Sequence, residues 1–231
     1  MEHLHLLEEF AAEHTIEETL GYFSHLFPGA VKFSSSLGQE DQVLTDIIAR
    51  NKLDVEIFTI DTGRLFPETY DLLERTGYRY NINIKTYFPQ AEAVQEFVNT
   101  QGINGFYHAI ENRLSCCGIR KVEPLNRALQ GCKVWVTGIR GEQSENRSQM
   151  PLVEWSETKQ LYKFNPLLHW TYDEVLNYIN QYHVPYNKLH DKGFISIGCA
   201  PCTRAIEPGE DPRAGRWWWE ASKKECGLHV Q

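Results

Sequence analysis

Four of the six cysteines in the chain come as two close pairs, Cys116-Cys117 and Cys199-Ala-Pro-Cys202. Thiolates from two separated pairs can hold a tetrahedral zinc ion or a four-iron cluster. Adjacent helical side chains diverge by about 100°, so Cys116 and Cys117 suit the wider ligand spacing of a cluster better than a single ion. Cys132 precedes the apolar run Lys133–Ile139 and reads as a small buried residue. Cys226 stands alone in Lys223-Lys-Glu-Cys-Gly-Leu-His229. Lys223, Lys224 and His229 would favour its thiolate over the thiol, whose ordinary pKa is about 8.5. On spacing alone, Cys226 is either an incidental residue or a nucleophile.

Three further stretches carry groups suited to an anion. Ser34-Ser35-Ser36-Leu-Gly38-Gln-Glu-Asp41 lies between an expected strand and an expected helix. Its backbone N–H groups and the positive helix end could converge on a phosphate; otherwise it is a capped turn. It lacks the Gly-Lys-Ser/Thr ending of the Walker loop. Ile60-Asp61-Thr62-Gly63-Arg64-Leu-Phe-Pro-Glu-Thr69 also follows a strand. Thr137-Gly-Ile-Arg140-Gly-Glu-Gln-Ser144, with Arg147 beyond it, supplies guanidinium groups for bidentate contact with phosphate or sulfate oxygens, or for surface salt bridges. Arg204, Arg213 and Arg216 lie between the last cysteine pair and Cys226, in a Pro-, Gly- and Trp-rich run with the composition of a lid. The three tryptophans 217–219 cannot all face one way, so one of them is expected to be exposed.

These motifs together resemble a known family. The serine loop with Asp61-Thr-Gly-Arg-x-x-Pro-Glu-Thr69 is similar to the pyrophosphatase-loop adenylyl proteins, and within them to the sulfonucleotide reductases. Cys-Cys with a later Cys-x-x-Cys, and Glu-Cys-Gly-Leu-His229, resemble the iron–sulfur branch, which reduces adenosine 5′-phosphosulfate (APS) to sulfite. Leu37 stands before Gly38, where the family's loop places glycine after Ser-x-Ser. The resemblance implies a 4Fe–4S cluster on Cys116, Cys117, Cys199 and Cys202, with Cys226 as the catalytic nucleophile. It implies substrate contacts from Ser34, Ser35, Ser36, Gly38, Asp61, Thr62, Gly63, Arg64, Lys121, Arg140, Arg147, Arg213, Arg216 and His229. It places Lys121 beside both cluster and nucleotide; on its own, Lys121 reads as part of a solvated helix face. The implied partners are the sulfonucleotide and a dithiol protein of the thioredoxin or glutaredoxin type. The same reaction on the 3′-phosphorylated nucleotide, and ATP-dependent adenylyl transfer or thiolation on the same loop, are the competing activities. A zinc- or cluster-binding module without activity is a third reading.

The elements that must position these groups alternate. Strands are expected at 30–34, 54–60, 79–85 and 133–139. Helices are expected at 4–27, 40–50, 67–76, 91–100, 119–130 and 171–182. Such alternation predicts an α/β fold with a parallel sheet, of the adenine nucleotide alpha-hydrolase-like (pyrophosphatase-loop) kind, with helices on both faces and an irregular tail. Ligands of such sheets lie beyond the C-terminal strand ends. The expected organisation is a helical segment over 1–28, a sulfonucleotide-binding domain over 29–190, and a cluster-binding, catalytic tail over 191–231. The net charge of −8 comes largely from the six glutamates of the first twenty residues, while 111–147 carries seven Lys/Arg against four Glu. An acidic whole with a basic middle argues against a nucleic-acid binder and for a focused anion site. No apolar run approaches the ~20 residues of a membrane span, and no basic-then-apolar leader opens the chain. A cytoplasmic enzyme, able to form a homo-oligomer, is the expectation.

Overall fold

The computed structural model describes residues 2–220. In chain order it contains α1 (Glu2–Glu13), α2 (Ile16–Leu26), β1 (Val31–Ser34), α3 (Gln39–Arg50), β2 (Glu56–Ile60), α4 (Pro67–Tyr80), β3 (Lys85–Tyr87) and α5 (Ala91–Gln101). Then follow α6 (Ile110–Cys117), a π turn over Gly118–Val122, α7 (Glu123–Ala128), β4 (Val134–Val136), α8 (Glu145–Ser148), β5 (Val153–Ser156), β6 (Leu161–Phe164) and α9 (Tyr172–Tyr182).

The strands form one six-stranded sheet in the order β3-β2-β1-β4-β6-β5. The β1–β2, β1–β4 and β4–β6 pairings are parallel, and β5 pairs antiparallel with β6 at one edge. This is the α/β class expected. The chain leaves β1 for β2 and β3 on one side, then continues with β4 on the other side of β1. The strand order therefore reverses between β1 and β4, where ligands of open α/β sheets bind. The loops beyond those two strand ends are Ser35–Gly38 and Thr137–Arg140.

The described chain divides into two compact units, one of residues 2–59, 71–85 and 131–187, the other of 60–70, 86–130 and 188–220. The first unit has an apolar core in which Val31, Phe33, Val134, Val136 and Phe164 of the sheet pack with Leu20, Phe23, Val43, Leu44 and Val175. Phe23 of α2 meets Phe164 of β6 edge-on at 5.2 Å between ring centroids. The second unit has a smaller core of Phe106, Cys199, Cys202 and Trp217.

Three local expectations are corrected. The helix expected over 4–27 is two helices, because Thr15 and Glu18 form a capping box that starts α2 afresh. The strand expected at 79–85 begins only at Lys85: α4 continues to Tyr80, and Asn81 takes a left-handed conformation (φ 52°) beyond it. The helix expected over 119–130 is confined to Glu123–Ala128, and Cys116 and Cys117 close α6 before it. Between α6 and α7 the chain widens into the π turn, where the Glu123 N–H donates to Gly118 O. Pro124 is the physical reason: it has no N–H to give to the preceding turn, and its ring would clash there in a regular α-helix.

Candidate active site

At the strand-order reversal, in the first unit, one carboxylate organises the loop. Asp41, in the first turn of α3, accepts from the Ser36 N–H (2.5 Å) and the Ser36 hydroxyl (2.6 Å). Ser35 is buried and its hydroxyl accepts from the Leu37 N–H at 3.1 Å. The Ser34 hydroxyl accepts from the Trp135 indole at 2.7 Å, which ties β1 to β4. Gly38 is the N-cap of α3 in an extended conformation (φ −70°) that any residue can adopt. The left-handed position is Leu37 (φ 61°), buried to 2% exposure. The conformation that glycine favours has thus moved one residue earlier and is held by burying an apolar side chain.

Gly138, at the end of β4, is where a side chain is excluded: a Cβ there would lie 2.1 Å from Asp41 Oδ1 and 3.4 Å from the Asp41 nitrogen. Burial pushes the Asp41 carboxyl up to about 6, and the bonds from Ser36 offset that only in part. A carboxyl whose folded pKa exceeds its free value of 3.8 contributes stability fully below pH 3.8 and loses it as pH rises through 6. Relative to Asp41→Asn, the wild type should therefore lose about 3 kcal/mol between pH 4 and pH 7, read from urea midpoints. A constant difference across that range would refute the buried-carboxyl account.

Arg140 is buried and already paired. Its Nε donates to Glu40 Oε1 (2.9 Å) and its Nη1 to Glu142 Oε2 (2.9 Å), while its guanidinium lies over the Tyr172 ring. Arg147 donates to Gln143 Oε1, and Gln143 donates in turn to Glu40 at 3.1 Å. Arg140 thus braces the loop after β4 against the first turn of α3, and Arg147 reaches the same carboxylate only through Gln143.

In the second unit the two cysteine pairs converge. Cys116, Cys117, Cys199 and Cys202 line one cavity with Arg64, Phe106, Arg113, Arg120, Lys121, Pro201 and Trp217. The loop from Asp61 to Arg64 is bound to this cavity. Asp61 accepts from the Gly63 N–H (2.7 Å) and the Tyr70 hydroxyl (2.9 Å), which forms the turn that gives Gly63 its left-handed φ of 70°. The Thr62 hydroxyl lies 3.3 Å from Cys199 Sγ, and Thr62 O accepts from Arg120 Nη1 at 2.6 Å. Arg64 receives the Ala200 N–H on its carbonyl (2.7 Å) and sends its guanidinium to Ile103 O and Asn104 Oδ1.

Arg216 is buried, donates to Ser196 Oγ at 3.2 Å, and passes so close to Gly198 that a Cβ there would lie 2.4 Å from Nη2. Arg213 sits in a turn where its N–H is taken by Asp211. Cys132 is buried and donates to Val134 O, as its sequence position suggested. Trp217 is buried and Trp218 exposed, as three consecutive tryptophans required. Cys226 and His229 lie outside the described residues.

Arg113 and Arg120 belong to the cavity although neither stood out in the sequence. Arg113 makes two bonds to Glu220 (2.7 and 3.0 Å) beneath the surface. Spacing was the available signal: Arg113 and Arg120 fall about one turn on either side of the Cys116-Cys117 pair.

The donor set fits a sulfur-ligated, negatively charged group. Burial alone would raise the Cys199 thiol, but Lys121, the Thr62 hydroxyl, Arg216 and Arg120 together bring it below its usual range. Burial and the neighbouring Cys199 push Cys202 up to about 12, and burial raises Cys116 despite Arg120. Arg216 Nε and Trp217 Nε1 are buried donors without a hydrogen-bond partner among the described residues, and Trp217 lines the cavity of the four thiols. No three His, Cys, Asp or Glu of the described residues converge closely enough for a single metal ion. Four thiols lining one cavity are a donor set able to hold a sulfur-ligated metal group.

Comparison with known proteins agrees with this geometry. A family model described as the phosphoadenosine phosphosulfate reductase domain matches residues 30–205. An adenosine 5′-phosphosulfate reductase of Allochromatium vinosum is 51% identical over 201 residues, covering 87% of this chain and 78% of that protein. One from Neisseria meningitidis serogroup B is 47% identical over 217 residues, covering 92% and 88%. The crystal structure of a phosphoadenylyl-sulfate reductase from Candida auris, a phosphate complex, superposes with a TM-score of 0.75 at 30% identity, covering 89% of this chain and 97% of that one. Candida glabrata FMN adenylyltransferase, at 17% identity and a TM-score of 0.53 over 89% of this chain and 69% of its own, shares the fold. No helix among the described residues is long and apolar enough to cross a membrane.

Proposed function

Because the chain belongs to the phosphoadenosine phosphosulfate reductase family, we propose that it reduces APS to sulfite and AMP, with Cys226 as nucleophile and a 4Fe–4S cluster on Cys116, Cys117, Cys199 and Cys202. The observation that carries this reading is the single cavity shared by the four thiols and ringed by Arg64, Arg113, Arg120 and Lys121. Bound there, the cluster supplies a fixed, compact charge. The electron bookkeeping of the reaction needs nothing more from it.

The Cys226 thiolate attacks the electrophilic sulfur, a bond forms between the two sulfurs, and the S–O bond breaks with its electron pair leaving on AMP. A thiolate of a dithiol protein then attacks Cys226 Sγ, and the electron pair of the bond to the sulfonate leaves on sulfite. The second thiol of the partner resolves the mixed disulfide, so the partner is oxidised by two electrons and Cys226 returns. The loop N–H groups around Ser35–Gly38 and the arginines Arg147 and Arg213 would bind the anionic oxygens. Lys121, Arg216 and His229 would neutralise charge at the reacting sulfur. Arg140, held by Glu40 and Glu142, shapes the loop that does the binding.

The test is the intact mass of anaerobically purified protein after exposure to APS, and separately to its 3′-phosphate, with no thiol present. A one-sulfonate gain that is lost in Cys226→Ser and released by reduced thioredoxin is expected. An adduct with the 3′-phosphorylated nucleotide alone would assign the chain the substrate named for the Candida auris protein, and no adduct with either would reject the reading. In Cys202→Ser, iron and at least ~100-fold of the adduct-forming rate should be lost together. Full sulfite production without iron would remove the cluster from the active machinery.

A further inference from the structure

Among the described residues, half of the ten large apolar side chains left exposed gather in one part of the second unit. They are Ile103, Tyr107, Ile110, Leu114 and Trp218, between 36% and 58% exposed. Ile110 and Leu114 are one turn apart on α6 and so share a face. The Asn112 side chain binds Gly105 O, which fixes α6 to the turn that carries Tyr107. The Tyr107 ring stands edge-on to Trp218 at 6.4 Å and to Trp219 at 4.4 Å. Apolar clusters of this kind on a soluble surface mark sites of association.

The residue that roots the segment carrying Cys226 is fixed to the same helix. Glu220 is held by both its oxygens to Arg113, which lies between Ile110 and Leu114 on α6. Five residues lie between Glu220 and Cys226, a reach of at most about 20 Å. Any protein thiol that exchanges with Cys226 must form a disulfide, which brings the two Cα atoms to within about 7 Å. The partner must therefore seat within that reach of Glu220, and the surface there includes these apolar and aromatic side chains, interspersed with the exposed polar residues His108 and Glu111.

We propose that the face made by Ile103, Tyr107, Ile110, Leu114 and Trp218 is the docking surface for the dithiol protein that reduces the Cys226 adduct. This rests on the function proposed above and adds where the reductant binds. It also gives the exposed Trp218 a role that burial and hydrogen bonding do not.

The experiment loads wild type and Ile110→Glu/Leu114→Glu with APS and confirms the adduct by mass. Sulfite release is then followed with reduced thioredoxin as titrant and, separately, with dithiothreitol. Trp218→Ala serves as a second, milder variant, and cluster absorbance reports that each protein is intact. We expect the thioredoxin reaction to lose about tenfold or more in kcat/KM through KM, with dithiothreitol release and adduct formation within about twofold of wild type. Unchanged KM for thioredoxin in both variants overturns the proposal. Slower adduct formation overturns it in favour of the chain's own tail as occupant, and a change of oligomeric mass overturns it in favour of a second copy. Absence of the adduct in wild type would instead strike the proposed function.

Discussion

Glu220→Ala is expected to lower stability by about 3–5 kcal/mol, the cost of leaving a buried charge without its partner. Arg113 and Glu220 have side chains only 3% and 4% exposed and meet at 2.7 Å. Arg113 also lies over the Trp217 ring at 4.8 Å, so its guanidinium has no route to water without disturbing that packing. For a chain of this size the loss corresponds to a fall in Tm on the order of 10 °C, read by thermal scanning under anaerobic conditions. Arg113→Met/Glu220→Leu should recover most of it, because an apolar pair of similar volume avoids the desolvation that the ion pair must overcome. If the single variant melts within a degree or two of wild type, the pair is not the buried anchor described above.

Gly138→Ala should spare most of the fold while reducing formation of the Cys226 adduct from APS by about 100-fold. The new methyl group would meet Asp41 Oδ1 at 2.1 Å and press toward its backbone, and overpacking of that kind costs about 1–3 kcal/mol. Asp41 cannot yield without releasing Ser36, whose N–H and hydroxyl it holds. A shift of about 1 Å in a substrate-positioning loop is worth about two orders of magnitude in rate. Gly141→Ala is a demanding control, since its Cβ would press on Leu168 O at 3.1 Å in the same loop without touching Asp41. Single-turnover adduct formation at saturating APS decides it: an unimpaired Gly138→Ala would mean that the contact between Asp41 and Gly138 does not set the geometry of the loop.

Much of this architecture was legible in the residues, and what was not has identifiable causes. β1, β2 and β4 are short apolar runs between helices of clear period. The β5–β6 hairpin was passed over because Glu154 and Lys163 interrupt its pattern. In the structure these two pair at 2.7 Å with side chains 11% and 5% exposed, and Lys163 lies over the Trp135 ring, so the charges belong to the interior. The cysteine pairs announced their cavity by spacing. Arg113 and Arg120 did not, because a cation on a helix reads as solvated until the packing partner is known. The ion pair of Arg140 was hidden for a related reason: its sequence neighbours suggested an anion from outside, while the carboxylate it meets in the structure, Glu40, comes from a hundred residues earlier. The Asp61–Arg64 loop stood out by its residue types, but only the fold reveals that Thr62 and Arg64 bind the Cys199–Ala200 segment.

The second unit is assembled from three stretches of chain, 60–70, 86–130 and 188–220, and this has a consequence during biosynthesis. The first cysteine pair leaves the ribosome more than eighty residues before the second, and until then it has neither partner thiols nor the Arg64–Ala200 bond to close around it. If the proposed cluster binds these four cysteines, its insertion must wait for Cys199 and Cys202, because a nascent chain short of them carries only half of the thiols. On that proposal, supply of the cluster, more than speed of translation, should set the yield of active protein when the chain is overproduced.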